Sequence, residues 1–196
     1  MLVTRRLLMS VDAKDYGLAD GRRQAAMQRG LLQMLSGSAE AAGLCRAAWD
    51  CQKGGDGELA ILPPGEPENV VVDDFIRELS DRLDDYNHDL VEAARLRLRL
   101  AVHHGVVVPA DNGYAGEGVV AVSRLVGCVP LRQAQLAAPD ANLVVIFSNR
   151  VYLDTIAQRF TKLRSSQLRR VVVQVKENCT EAWLYVPGHN VHELEL

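Results

Sequence analysis

The chain has 196 residues, 48% hydrophobic and 24% charged, with a formal net charge of −3 from 22 basic and 25 acidic side chains. That is the size and usage of one ordinary globular domain, and it argues against a protein that tracks nucleic-acid phosphates, which carries a basic excess. No apolar run is long enough to cross a bilayer as a helix, so neither nucleic acid nor membrane is an expected partner.

Aromatics are only 5% of the chain, so the core must come from Val, Leu, Ile and Ala. Arg5-Arg6-Leu7-Leu8-Met9 opens like a secretory signal. The apolar run stops at Asp12, Lys14 and Asp15, and no cleavage site follows. A cytoplasmic location is expected. Cys45, Cys51, Cys128 and Cys179 show neither C-x-x-C pairing nor a flanking His at zinc spacing, and read as small half-buried thiols.

Arg5 to Val11 predicts a first strand, broken by Asp12. Helical spacing runs from about Leu18 to Ala42, with Gly30 and Gly37 as candidate breaks. Strands at Arg46–Cys51 and Glu58–Leu62 flank the turn Lys53-Gly54-Gly55-Asp56-Gly57 and read as a hairpin. After the loop Pro63-Pro64-Gly65-Glu66-Pro67, Asp73 or Asp74 is the expected N-cap of a helix carrying Phe75, Ile76, Leu79, Leu83 and Leu90 on one face. Asp81, Asp84 and Asp85 fall on its wet face. Arg95 to Val102 alternates strictly, the mark of a strand with one buried face, and runs on to Val108. Arg95, Arg97 and Arg99 share the other face, read as solvated or as a dimer rim. A helix is predicted near Val119–Leu125, a strand at Leu143–Phe147, a helix from about Asn149 to Ala157, and a closing pair at Arg170–Val175 and Ala182–Val186. The expected class is α+β, a mixed and mostly antiparallel sheet with helices packed on it. The domain is assigned to residues 1–188, and residues 189–196, with His189 and His192, to a solvated tail.

Two carboxylates stand out. Asp12 lies where the first strand stops, and Asp56 lies in the hairpin turn. Carboxylates at neighbouring strand ends can share divalent cations, and Mg²⁺ takes a couple of them together with substrate phosphate oxygens. Backbone N–H groups in the turn Ala13-Lys14-Asp15-Tyr16-Gly17 would suit a phosphate. The same two aspartates also fit plain turn or cap roles.

The order of motifs resembles the catalytic domain of class III nucleotidyl cyclases, with its ferredoxin-like core. A strand ends in Ser10-Val11-Asp12-Ala13-Lys14-Asp15-Tyr16-Gly17. A hairpin carries Lys53-Gly54-Gly55-Asp56-Gly57-Glu58-Leu59-Ala60. A strand of alternating Arg and Leu ends in His103-His104-Gly105. A glycine loop leads through Gly116-Glu117-Gly118 into a helix with Arg124. An apolar strand ends in Ser148, and a closing hairpin carries Val175-Lys176 before Trp183 and Tyr185.

The resemblance implies that Asp12 and Asp56 bind two divalent metals, Mg²⁺ or Mn²⁺. It implies that Arg124 stabilises the transition state and that Lys176 holds the triphosphate. The substrate would be a nucleoside triphosphate, closed to a 3′,5′-cyclic nucleotide with loss of pyrophosphate. Family sites lie between two subunits, so a homodimer is implied. Five positions depart from the family, two of them Glu177 and Cys179, which replace the glycines around Lys176. The ribose-orienting Asn is Val120, and the base-reading pair falls on Gln52, beside Lys53, and on Gly113. His103 and His104 are expected to be structural. An input signal would come from a partner protein or the nucleotide pool. Three readings stay open: a divergent cyclase, an inactive nucleotide-binding or regulatory dimer in signalling or phage defence, and a dimerising scaffold.

Overall fold

A computed structural model describes residues 3–175 and 178–196. The strands are β1 (Thr4–Ala13), β2 (Asp50–Lys53), β3 (Gly57–Ile61), β4 (Leu98–Ala110), β5 (Gly113–Ala115), β6 (Leu143–Ser148), β7 (Arg169–Val175) and β8 (Asn178–Tyr185). The helices are α1 (Gly21–Ala41), α2 (Glu68–Val70), α3 (Ile76–Asn87), α4 (Glu117–Val126), α5 (Val129–Ala137) and α6 (Asn149–Val151). One sheet runs β2-β3-β1-β4-β6-β8-β7, with β5 added beside β4. All pairings are antiparallel except β4 with β6. This is the mixed α+β architecture that the patterning implied.

The strict alternation of β4 settles the layers. Leu98, Leu100 and Val102 point to a core roofed by α1 and α3, together with Leu7, Met9, Val11, Phe75 and Leu79. Ala101 and Val107 point to a second core under α4 and α5, with Leu8, Val122, Leu125 and Leu131. The sheet is therefore covered on both faces, and strand residues alternate between two dry layers.

Several boundaries differ from expectation, each for a local reason. Helix α1 is unbroken, capped by the Asp20 carboxylate, which accepts from the Arg23 N–H at 2.8 Å. Its glycines are contact points. A Cβ on Gly30 would lie 3.0 Å from the Tyr86 hydroxyl, and one on Gly37 would lie 2.9 Å from the Arg82 guanidinium. The second helical run starts at Glu68, passes through a wide turn at Val71–Phe75 and continues as α3. Asp73 and Asp74 are therefore inside it. Val71 and Val72 are already buried, so the apolar stripe begins before the aspartates. Arg46–Ala48 forms a single 3₁₀ turn ahead of β2. Helix α5, which the periodicity did not suggest, starts with Pro130 in its first turn, where a missing N–H costs nothing.

Residues 189–196 fold back on the domain. Val191 is buried, His189 shares a 3.1 Å hydrogen bond with Asp140, and Arg169 donates to the Leu194 carbonyl. Cys128 and Cys51 are shielded as expected, whereas Cys45 and Cys179 are exposed, and all four thiols are free.

Candidate functional site

Asp12 and Asp56 are brought together by strand register. Asp12 pairs across the ladder with Gly57, and the Ala13 N–H donates to the Asp56 carbonyl at 2.7 Å. Gly57 makes this approach possible, because a Cβ there would sit 1.9 Å from the Val11 carbonyl oxygen. Only glycine fits, so the tip of the hairpin is pinned against the end of β1. Burial pushes the Asp12 carboxyl above its usual range, Arg99 opposes the rise, and the nearby Asp56 charge adds to it. Asp56 itself is exposed.

Arg99 is the residue that the motif reading left aside. It sits opposite Asp12 in the β1–β4 ladder, and its guanidinium donates from Nε at 2.7 Å and from Nη2 at 3.0 Å to the two carboxylate oxygens. Both side chains are about four-fifths buried. This is a bidentate fork, the strongest geometry for such a pair. The solvated-face reading of the arginine row is therefore corrected: Arg97 is 9% exposed and Arg99 is paired. Arg99 lies on the same face of β4 as Ala101, the side of α4 and α5, whereas Arg95 and Arg97 border a cavity beside α1 with Arg23 and Met27. Arg132 of α5 also acts on Asp12 as a positive charge. Sequence spacing could not find Arg99 or Arg132, because neither ladder register nor α5 was legible.

The turn after β1 offers less to a phosphate than its five residues suggested. The Ala13 amide is committed to Asp56 and the Lys14 amide to the Arg97 carbonyl at 2.9 Å. Those two are thus structural donors. Asp15 adopts φ of +60° and leads into the 3₁₀ turn Tyr16–Leu18, with Gly17 at its centre. The Tyr16 hydroxyl accepts from Gln28 at 2.6 Å and lies against Gly55 of the hairpin.

The two base-region positions do meet. Gln52 lies directly over Gly113, where a Cβ would overlap its amide nitrogen, and it donates to the Asn112 carbonyl at 3.3 Å. Gly113 has φ of +94°, a left-handed conformation that favours glycine. Tyr114 donates to Asp50 at 2.6 Å beside it. Lys53 is exposed at the end of β2. Arg124 is exposed on α4 and borders a groove of about 510 Å³ with Arg132, Val172 and Gln174. It is not among the charged groups acting on Asp12. Val120 lies one helical turn before it and is half-buried. Lys176 lies outside the described residues.

Among the described residues, no cluster of three or more His, Cys, Asp or Glu side chains could by itself cage a metal. Two carboxylates are what Mg²⁺ or Mn²⁺ needs when phosphate oxygens and water supply the other ligands. A carboxylate offers about four lone-pair sites, and the Arg99 fork takes two of those on Asp12. Burial and the Asp56 charge both resist Asp12 ionisation, and a cation would relieve both. The donor set fits a divalent ion delivered with phosphate.

The sheet order, the covering helices and likeness to solved structures define the class: this is the fold of the class III adenylyl and guanylyl cyclase catalytic domains. One similar structure is an adenylate/guanylate cyclase/hydrolase from Silicibacter pomeroyi, with 17% identity, a TM-score of 0.65, and 95% of this chain and 99% of that one covered. Another is the guanylyl cyclase Cya2, at 12% identity and TM-score 0.63, covering 100% of this chain and 98% of that one. A third is the adenylyl cyclase CyaB from P. aeruginosa, at 13% identity and TM-score 0.58, covering 96% and 97%. No protein-family model matches the sequence, and no curated protein matches it either. Among the described residues, no helix is long and apolar enough to cross a membrane.

Proposed function

We propose that this chain is a divergent nucleotidyl cyclase-like protein that binds a nucleoside triphosphate with divalent metal and closes it to a 3′,5′-cyclic nucleotide, releasing pyrophosphate. The observation that carries this reading is the pinning of Asp56 beside Asp12 by Gly57. A turn kept only for its shape does not need two carboxylates that repel one another. Asp12 and Asp56 would hold Mg²⁺ or Mn²⁺, which lowers the cost of forming the 3′-alkoxide and of the charge on the triphosphate. The 3′-oxygen attacks the α-phosphorus as the bond to pyrophosphate breaks. Arg124, exposed and away from Asp12 in its own chain, would reach the α-phosphate of a partner subunit's site and stabilise the developing charge. Lys176 would hold the terminal phosphates. The base meets Gln52 and the backbone at Asn112–Gly113, a neutral amide pair unlike the charged readers of the family.

A second reading, binding without turnover, is favoured by Val120, which cannot orient a ribose. The discriminating experiment incubates the protein with ATP, GTP, CTP or UTP and Mn²⁺ and follows cyclic product and pyrophosphate. The first reading expects product that disappears in Asp56→Ala. A mixture of Asp12→Ala and Arg124→Ala chains should recover activity if each site takes residues from two subunits. Absence of product with every triphosphate, alongside metal-dependent binding lost in Asp12→Ala, establishes the second.

A further inference from the structure

Glu68, at the start of α2, reaches the central strand β4, where its Oε2 lies 3.5 Å from His104 Nδ1. We propose that this pair is a proton-operated latch holding α2 against the sheet, closed while the two side chains share a proton and released when that proton leaves to water. The latch involves neither carboxylate of the candidate metal pair.

Three observations carry this. First, the Glu68 site suits a neutral carboxyl. The side chain is about four-fifths buried, and its Oε1 is shut off from solvent and accepts no hydrogen bond among the described residues. An ionised carboxylate offers only acceptors, so leaving one here without donors is costly. A protonated carboxyl instead donates its O–H to the imidazole of His104, which burial holds below its ordinary pKa and so keeps neutral. Burial, with Asp154 adding to it, pushes the Glu68 carboxyl up to about 7. The other charged groups around the pair oppose one another. Arg150 and Asp154, both from the segment after β6, are joined at 2.6 Å and act on each partner in opposite senses. Arg5 of β1 lowers His104 further, and His103 falls on the opposite face of β4.

Second, little else ties α2 down. Among the described residues, the Glu68–His104 contact is the one polar contact made by an α2 side chain. The Val70 and Val71 N–H groups donate only to the nearby Pro67 carbonyl. Regular helix gives way just beyond, in the wide turn Val71–Phe75, and α2 packs on a second wide turn at Tyr152–Ile156. Wide turns of this kind are frequent at functional sites.

Third, there is room for release. A cavity of about 490 Å³ opens beside Glu68, walled by Asn69, Asp154, Thr155 and Phe160. An ionised Glu68 gains hydration by swinging into it, and α2 leaves β4 with it. Upstream, the Trp49 indole donates to Glu66 at 3.0 Å, and downstream Val71 and Val72 are fully buried, so the release is confined to one short segment.

The test follows hydrogen exchange of residues 66–72 in the full chain by mass spectrometry at pH 6 and pH 8, corrected for the chemical exchange rate. The closed-state pKa is the higher one, so the latch holds fully below about 4.5 and is lost as pH rises through about 7. Opening of α2 should therefore increase about tenfold from pH 6 to pH 8, and in Glu68→Gln it should not change with pH. His104→Leu removes the acceptor and should open α2 already at pH 6. A carbon-13 titration of the Glu68 carboxyl checks the wild type without any substitution, and its midpoint should fall well above 4.5. Exchange that ignores pH, a rise that survives in Glu68→Gln or spreads evenly over the whole chain, full protection in His104→Leu, or an ordinary carboxyl midpoint overturns the latch.

Discussion

Arg99 grips both carboxylate oxygens of Asp12 across the β1–β4 ladder, at 2.7 and 3.0 Å. The contact opposes the effect of burial on Asp12. Without it, burial and the Asp56 charge would hold Asp12 still further above its usual range. The guanidinium is thus the resident counter-charge at the end of β1.

Replacing it tests that role. Arg99→Met should destabilise the fold by about 1.5–3 kcal/mol, the cost of losing hydrogen bonds to a charged group. Mn²⁺ should then raise the melting temperature of the variant more than that of the wild type, because a cation supplies the missing charge. Equal shifts in the two proteins would show that Arg99 and the metal do not share Asp12.

The glycine under the hairpin should be as sensitive as either aspartate. Gly57→Ala places a methyl group 1.9 Å from the Val11 carbonyl, so the hairpin must move. A loss of about 1–3 kcal/mol follows from overpacking of this kind. Metal-dependent nucleotide binding, measured by calorimetry, should fall with it, whereas Gly54→Ala, where the nearest contact is 3.3 Å, should keep most of both.

Asp56→Asn should separate stability from binding. Asp56 is exposed, so unfolding in urea should change by no more than about 0.5 kcal/mol. The stabilisation that Mn²⁺ and a triphosphate give the wild type should vanish.

Val120→Asn should restore the ribose contact that the family resemblance assigns to this position. The cyclisation rate should rise by up to about 10²-fold, the scale of a positioning contact. A rate that stays flat would mean that ribose placement does not limit the reaction.

Glu68 gives a pH signature away from the site. Burial pushes its carboxyl up to about 7, with Asp154 adding to the rise, while His104 stands 3.5 Å away. The folded pKa is above the unfolded one. Its contribution is therefore fully present below about pH 4.5 and is lost as pH rises to about 7. His103 runs the other way: burial pulls its pKa down to about 4, so its contribution is lost as pH falls from about 6.5 through 4. The difference in melting temperature between wild type and Glu68→Gln isolates the first effect. It should move against the wild type between pH 5 and pH 8, and a difference independent of pH would refute the assignment.

The sequence by itself located most of the strands, because the alternation through Leu98, Leu100 and Val102 marks one face as buried; it did not show that β4 starts only at Leu98, that its other face is also covered, or that β5 exists. It also determined the class of fold, because the motifs occur in a fixed order along the chain. It placed Asp12 at a strand end and Asp56 in the hairpin turn, and the resemblance put Gln52 and Gly113 in one region; the β1–β3 ladder sets Asp56 beside Asp12, and the Gln52 side chain lies against Gly113. Tertiary structure alone decided the partners of these groups. Which arginine of the row faces Asp12 depends on ladder register, and a slip of one residue would send Arg99 to the other face. The glycines of α1 looked like breaks because periodicity cannot see Tyr86 and Arg82 packing across from α3. The cavity beside the turn after β1 was likewise hidden, since Lys14, Asp15, Arg23, Glu92 and Arg97 converge only when that turn meets the start of β4.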